Sequence, residues 1–243
     1  MKLCQKLTAR LCLLFMAVFF MTKLPAYSQR VNLGFDAGET TDRFGGLPRA
    51  TTPELGFDGQ WLVRQGNHKE GMFDVVVGGE IRLPADTSAH APEFAAYAGP
   101  MFWFGNHLSI GFHAQVRKVI LPTSEINDVF FPRYKMLLLE VPAVIEYRFG
   151  HPGAVRHAFA QAQVAPEFSP HYTQPSSGGN TLPTPQLDHG YFARGSAGYS
   201  FGKWYAKATY ETRFFKFSNE LGNPNNLYNW RTDMVTGGIG VIF

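Results

Sequence analysis

The chain of 243 residues offers three kinds of reactive group: a serine in an unusual aromatic setting, charged side chains at alternate positions, and eight scattered histidines. The serine, Ser218, stands in Phe215-Lys216-Phe217-Ser218-Asn219, followed by Asn223-Pro224-Asn225-Asn226. A serine hydroxyl attacks an ester efficiently only with a positioned base, and this segment carries a lysine but no imidazole. On that reading Ser218 is a candidate nucleophile without its activator, at the base of an Asn/Pro/Gly-rich hairpin loop.

The charges are more regular. Ser109, His113, Gln115 and Arg117 fall at alternate positions in 107–119, Glu140, Glu146 and Arg148 do so in 135–149, and Lys207, Thr209, Glu211 and Arg213 in 203–217. A strand has a side-chain period of two, so each set lies on one face. Opposite signs on one enclosed face predict ion pairs, with Arg117, Glu140, Glu146, Arg148, Lys207, Glu211 and Arg213 as the network. The histidines show no metal-ligand spacing, and neither a metal nor a cofactor is expected.

The elements that position these groups are strands. Ten segments alternate, roughly 31–37, 54–65, 72–83, 93–104, 107–119, 135–149, 156–168, 190–201, 203–217 and 232–243. The faces opposite the charges are apolar, for example Leu139, Val141, Ala143, Ile145, Tyr147 and Phe149. Arg or Lys facing lipid at the bilayer midplane costs roughly 2–4 kcal/mol, so the charged faces must form a lumen. The predicted fold is all-β, an antiparallel transmembrane barrel of ten strands. The segment 31–37 is short for a span, and eight strands with an N-terminal extension is the alternative.

Connections fall into two classes. Gly105-Asn106, Gly202-Lys203 and Gly150 to Val155 are short turn signals, Gln65 to Gly71 is placed as a fourth, and 38–53, 120–134, 169–189 and 218–231 are placed as long loops. Short turns on one side and long loops on the other is the asymmetry of bacterial outer-membrane barrels. Aromatic residues at strand ends (Trp61, Phe102, Trp103, Phe104, Tyr199, Phe201, Trp204, Phe214 and Phe215) are assigned to interfacial girdles.

Residues 1–28 read as a cleaved secretory signal: Lys2, Lys6 and Arg10 precede the apolar run Leu11 to Met21, and Ala26-Tyr27-Ser28 precedes Gln29. The run is shorter than the ~20 residues a spanning helix needs. The barrel domain is then 29–243. Four of the 22 basic residues fall in the signal, leaving 18 against 19 acidic ones, so a nucleic-acid partner is not expected. Both cysteines, Cys4 and Cys12, belong to the signal, which excludes a disulfide framework in the remaining chain.

The closing segment Thr232 to Phe243, with Val235, Gly237, Ile239, Val241 and Phe243 on one face, resembles the last strand of bacterial outer-membrane barrels. In those proteins the terminal aromatic residue is read by the barrel-assembly machinery, so the resemblance implies that machinery as a partner and the outer membrane of a Gram-negative-type bacterium as the location. Outer-membrane lipid and lipopolysaccharide are the other expected partners, and the protein is expected to be a monomer.

The segment 215–226 is similar to the lipid A 3-O-deacylase family, small barrels with an aromatic-rich His-x-Ser-Asn and then an Asn-Pro segment. The resemblance implies Ser218 as nucleophile, Lys216 at the position of the family's base, and Asp233 as the nearby carboxylate. Asp188-His189 resembles the acid and His pairs of ten-stranded outer-membrane proteases, with no second pair to match. Three functions stand open: a non-enzymatic barrel with a charge-paired lumen acting in structure or surface interaction, a deacylase-like esterase, and a narrow pore. An enzymatic role is not the expectation.

Overall fold

Inward polar and outward apolar side chains force each segment into a sheet, and the only sheet without an exposed edge is a closed one. The computed structural model describes residues 29–44, 49–65, 73–86, 92–120, 124–126, 129–131, 135–150, 156–173, 186–218 and 229–243. The expected signal, 1–28, lies outside these residues, as does most of the polar connecting sequence.

Fourteen strands occur in chain order: β1 (Gln29–Phe44), β2 (Ala50–Gln65), β3 (Phe73–Pro84), β4 (Glu93–Phe104), β5 (Leu108–Phe112), β6 (Ala114–Ile120), β7 (Ser124–Ile126), β8 (Val129–Phe131), β9 (Lys135–Glu140), β10 (Ala143–Phe149), β11 (Arg156–Thr173), β12 (Gln186–Phe201), β13 (Trp204–Ser218) and β14 (Asn229–Ile242). Strands β7 and β8 pair only with each other, inside the expected loop 120–134. The other twelve form one sheet in which β5 continues into β6 and β9 into β10, giving ten barrel strands.

Every neighbour is antiparallel, and β1 pairs with β14 from Asn32↔Ile242 to Phe44↔Trp230. Phe243 closes the seam, donating its N–H to the Val31 carbonyl at 2.8 Å and accepting from the Val31 N–H at 3.2 Å. The barrel is thus all-β, antiparallel and closed, with ten strands rather than eight.

The two interruptions trace to proline, which has no N–H for a ladder. Strand β4 pairs with β5 up to Met101↔Gly111 and with β6 from Ala98↔Ala114, leaving Pro100 and Gly99 opposite Phe112 and His113. Pro142 breaks the facing strand between β9 and β10, and its carbonyl accepts from the His113 N–H at 3.1 Å.

Strand lengths correct the sequence reading. The expected span 31–37 is the 16-residue β1, and most of the expected loop 38–53 is strand. Beyond the apolar band the ladder continues while the side-chain alternation stops, because Glu39, Thr41 and Arg43 face outward while Thr40 and Asp42 face inward. A tilted barrel strand crosses the hydrocarbon layer in about 9–11 residues, so the 16 residues of β1 run past it. Strands β11 and β12 likewise extend into the expected loop 169–189.

The three glycine turns share one end of the barrel with Val31 and Phe243. Gly105 (φ 64°) and Gly202 (φ 101°) adopt the left-handed backbone that tight turns between β4 and β5 and between β12 and β13 require. This is the turn end; the opposite one is the loop end. Each barrel strand bears exposed large apolar side chains on its outer face, among them Phe168 at 60% and Val235 at 60% exposure. A belt of this extent does not sit in water.

Candidate functional site

Inward positions of the loop-end half carry a cross-barrel layer of ion pairs. Arg117 of β6 has no exposed surface; its guanidinium meets Glu80 of β3, Glu93 of β4 at 3.4 Å and Glu140 of β9 at 3.6 Å. Arg213 of β13 reaches Glu211 at 2.8 Å, Glu140 at 3.3 Å and Glu167 of β11 at 3.3 Å. Arg194 of β12 joins Glu80 at 2.8 Å and Glu211 at 2.5 Å. Arg82 of β3 reaches Glu211 at 3.3 Å, Glu80 at 3.6 Å and Glu54 of β2 at 3.9 Å. Thr40 of β1 donates to Glu54, and Met234 of β14 lies against Arg82. All ten barrel strands therefore contribute a side chain.

Phe192 stands in the middle, fully buried. The guanidinium carbons of Arg213, Arg194 and Arg117 lie 4.9, 5.2 and 5.9 Å from its ring centroid. An aromatic face attracts cations, and a desolvated ring does so more strongly. Each buried guanidinium touches two or more carboxylates, the condition under which such charges persist out of water. Chemically the layer's groups face one another and present no aligned nucleophile and base.

Of the network expected from sequence, Arg117, Glu140, Glu211 and Arg213 come together here. Lys207 lies nearer the turn end on Asp58 at 2.7 Å. Glu146 and Arg148 pair with each other at 2.8 Å, close to the turn end and apart from the layer. Arg148 stacks over Trp103, whose indole N–H donates to Asp74 at 2.8 Å. Trp103 therefore faces the lumen, and Phe215 is buried at 1% exposure; both assignments to an outer girdle are corrected. An inward aromatic reads like a girdle residue when only its position near a strand end is used.

Sequence reasoning missed Glu54, Glu93 and Phe192 in the layer, and Asp36, buried nearer the turn end. Glu54, Glu93 and Phe192 lie inside the expected segments 54–65, 93–104 and 190–201, where the period-two pattern already put them on the inward face. Phe192 also needed the guanidiniums of three strands to explain an apolar ring inside.

Between the layer and the turn end is a partly enclosed cavity of about 150 Å³. Its wall includes Asp36, Tyr97, His113, Gln161, Gln163 and Lys207. His113 sits at the break between β5 and β6, stacked on Tyr97 with centroids 5.2 Å apart. An apolar cluster of Val76, Met101 and Val144, packed against Leu62 and Tyr97, fills one side of this half.

The expected nucleophile lies elsewhere. Ser218 ends β13 at the loop end, opposite Gln186. Lys216 is opposite His189, which the sequence alone placed 27 residues away, and a bulge occurs at Asp188. The Asp188 carboxylate is 3.1 Å from His189 Nδ1 and 3.8 Å from Lys216 Nζ. An imidazole thus lies beside the Ser218 segment across the ladder, contrary to the expectation from the segment alone. Asp233, the other expected acid, binds Tyr210 at 2.8 Å and Arg231 at 3.0 Å on the outer face of β13 and β14. Among the described residues no three His, Cys, Asp or Glu side chains gather for a metal.

No family model and no curated protein matches this chain. Among solved structures, the translocator domain of the autotransporter NalP from Neisseria meningitidis aligns over 98% of this chain and 97% of its own, at 9% identity and a TM-score of 0.43. OccK2 from Pseudomonas aeruginosa aligns over 89% of this chain and 98% of its own, at 8% identity and a TM-score of 0.23. At these scores the barrel assignment rests on the strand pairing of the chain itself.

Proposed function

We propose that this chain is an outer-membrane β-barrel protein of a Gram-negative-type bacterium, exported with a cleaved signal at 1–28, non-enzymatic and monomeric. Its lumen is sealed, and its work is done at the cell surface by the polar segments between strands, in contact with lipopolysaccharide or an outside partner. The observation that carries this reading is the pairing of an unbroken apolar outer belt with a buried charged layer spanning all ten barrel strands. A closed barrel satisfies its backbone within lipid, and buried charges packed against one another across the lumen leave no continuous path for ions.

Fractionation of cells expressing the full chain, with N-terminal sequencing and planar-bilayer recording of the purified protein, tests it. Outer-membrane fractionation, a start at or near Gln29 and no stable conductance are expected. A cytoplasmic protein with Met1 intact, or a large steady conductance, overturns it.

A second reading, a lipid A deacylase-like esterase, has one observation in its favour: the Asp188–His189 pair lies across the ladder from Lys216, two residues from Ser218. Mass spectrometry of lipid A from expressing cells separates the two. Loss of an acyl chain that depends on both Ser218 and His189 would replace the first reading with the second.

A further inference from the structure

We propose that the turn-end half of the lumen is a binding site for a neutral, polyhydroxylated ring of monosaccharide size. This goes beyond the sealed-barrel reading and stands on different residues. A cavity of about 150 Å³ is the size that admits a six-membered carbon ring, and an apolar one of that volume takes benzene. Here the lining is polar, which selects a ring carrying hydroxyls instead.

The cavity stays open because its large side chains lie flat on glycines. Tyr205 lies over Gly240 and Gly34, Tyr97 over Gly78, and Asp36 between Gly56 and Gly238, where any Cβ would collide with them. The wall therefore holds bulky hydrogen-bonding groups without letting them cross the lumen.

Three buried atoms of wall residues have no hydrogen-bond partner: Arg82 Nε, at the border with the charged layer, and Asp36 Oδ1 and His113 Nε2. Asp36 is 7% and His113 3% exposed. Leaving such atoms unpaired is costly, and a ligand hydroxyl satisfies either one: it donates to the carboxylate, and it donates to or accepts from the imidazole. Four amides add complementary positions. Asn32 donates to Gln60 at 3.2 Å and Gln163 to Gln161 at 3.2 Å, which uses only part of the capacity of each pair.

The cations nearby disfavour an anionic ligand. Lys207 is held by Asp58 and Arg148 by Glu146, and an anion would have to displace these carboxylates.

The test is saturation-transfer NMR and calorimetric titration of the folded barrel in detergent, with D-glucose, D-galactose and D-mannose as probes and the zwitterion glycine betaine as a comparison without hydroxyls. At least one hexose is expected to bind saturably and betaine not. Asp36→Asn should weaken that binding about tenfold, the loss of a hydrogen bond to a charged acceptor. Ser196→Phe, which fills the cavity from a different strand, should abolish it while heat-modifiable migration shows a folded barrel. Absence of saturable binding by all three hexoses, binding unaffected by both variants, or betaine binding as tightly as the hexoses would each overturn the proposal.

Discussion

Glu140 of β9 and Arg213 of β13 meet at 3.3 Å although 73 residues and two intervening barrel strands separate them, so the contact crosses the lumen instead of following the wall. Both side chains are essentially without solvent exposure, and Glu140 also faces Arg117 at 3.6 Å and receives a hydrogen bond from Gln115. Such a contact ties opposite walls of the barrel together.

Removing one partner of a desolvated pair leaves the other charge buried, at a cost of about 3–5 kcal/mol. Glu140→Ala or Arg213→Ala should lower barrel stability by that amount, read as a shift of the urea midpoint in detergent-refolded protein. Arg148→Ala provides the contrast. Its pair with Glu146 is about one-fifth exposed, so its loss should cost much less, on the order of 1 kcal/mol. Equal midpoints for the two classes would show that the layer is hydrated.

The seal should be removable without destroying the wall. Phe192 fills the centre beneath three guanidiniums. In Phe192→Ala that ring is gone, and water can enter among the four arginines. Planar-bilayer recordings are expected to show small, flickering conductance from Phe192→Ala and none from the native barrel. An equally silent variant would place the barrier in the carboxylate–guanidinium contacts alone.

How much of this could be read from the residues depends on where the side-chain period survives. Within the lipid-height band one face must be apolar, so Arg117, Glu140, Glu211 and Arg213 identify themselves by falling opposite it. Above that band both faces are polar, and β1 shows why its length was hidden: Glu39 and Asp42 are on opposite faces and both are acidic. Lateral neighbours are harder still. The approach of His189 to Lys216 depends on the register of β12 against β13 and on the bulge at Asp188, neither of which leaves a mark in linear spacing. The cavity was invisible for a related reason, since it depends on which glycine lies beneath which tyrosine across a strand pair.

The seam makes a separate prediction. Phe243 contributes two backbone hydrogen bonds to Val31 and an exposed aromatic side chain at the turn-end rim. Deleting Phe243 should impair assembly and leave protein in the periplasm, whereas shortening 174–185 should leave heat-modifiable migration intact. Normal outer-membrane assembly of the Phe243 deletion would show that closure proceeds without it.

Tyr205 and Gly240 allow the packing argument to be tested by a double-mutant cycle. The tyrosine ring lies flat on Gly240, close enough that a single methyl group there would meet the ring carbons and the hydroxyl. Gly240→Ala should therefore push Tyr205 off the wall and cost roughly 1–3 kcal/mol, the usual effect of overpacking a well-filled site. Tyr205→Ala removes the obstacle, so adding Gly240→Ala to it should cost little. The coupling energy from urea midpoints of the four proteins is expected to be of the same size as the single Gly240→Ala effect. Additive effects would mean that Gly240 is needed for backbone freedom or strand pairing, and that the glycine does not serve as the seat of the tyrosine.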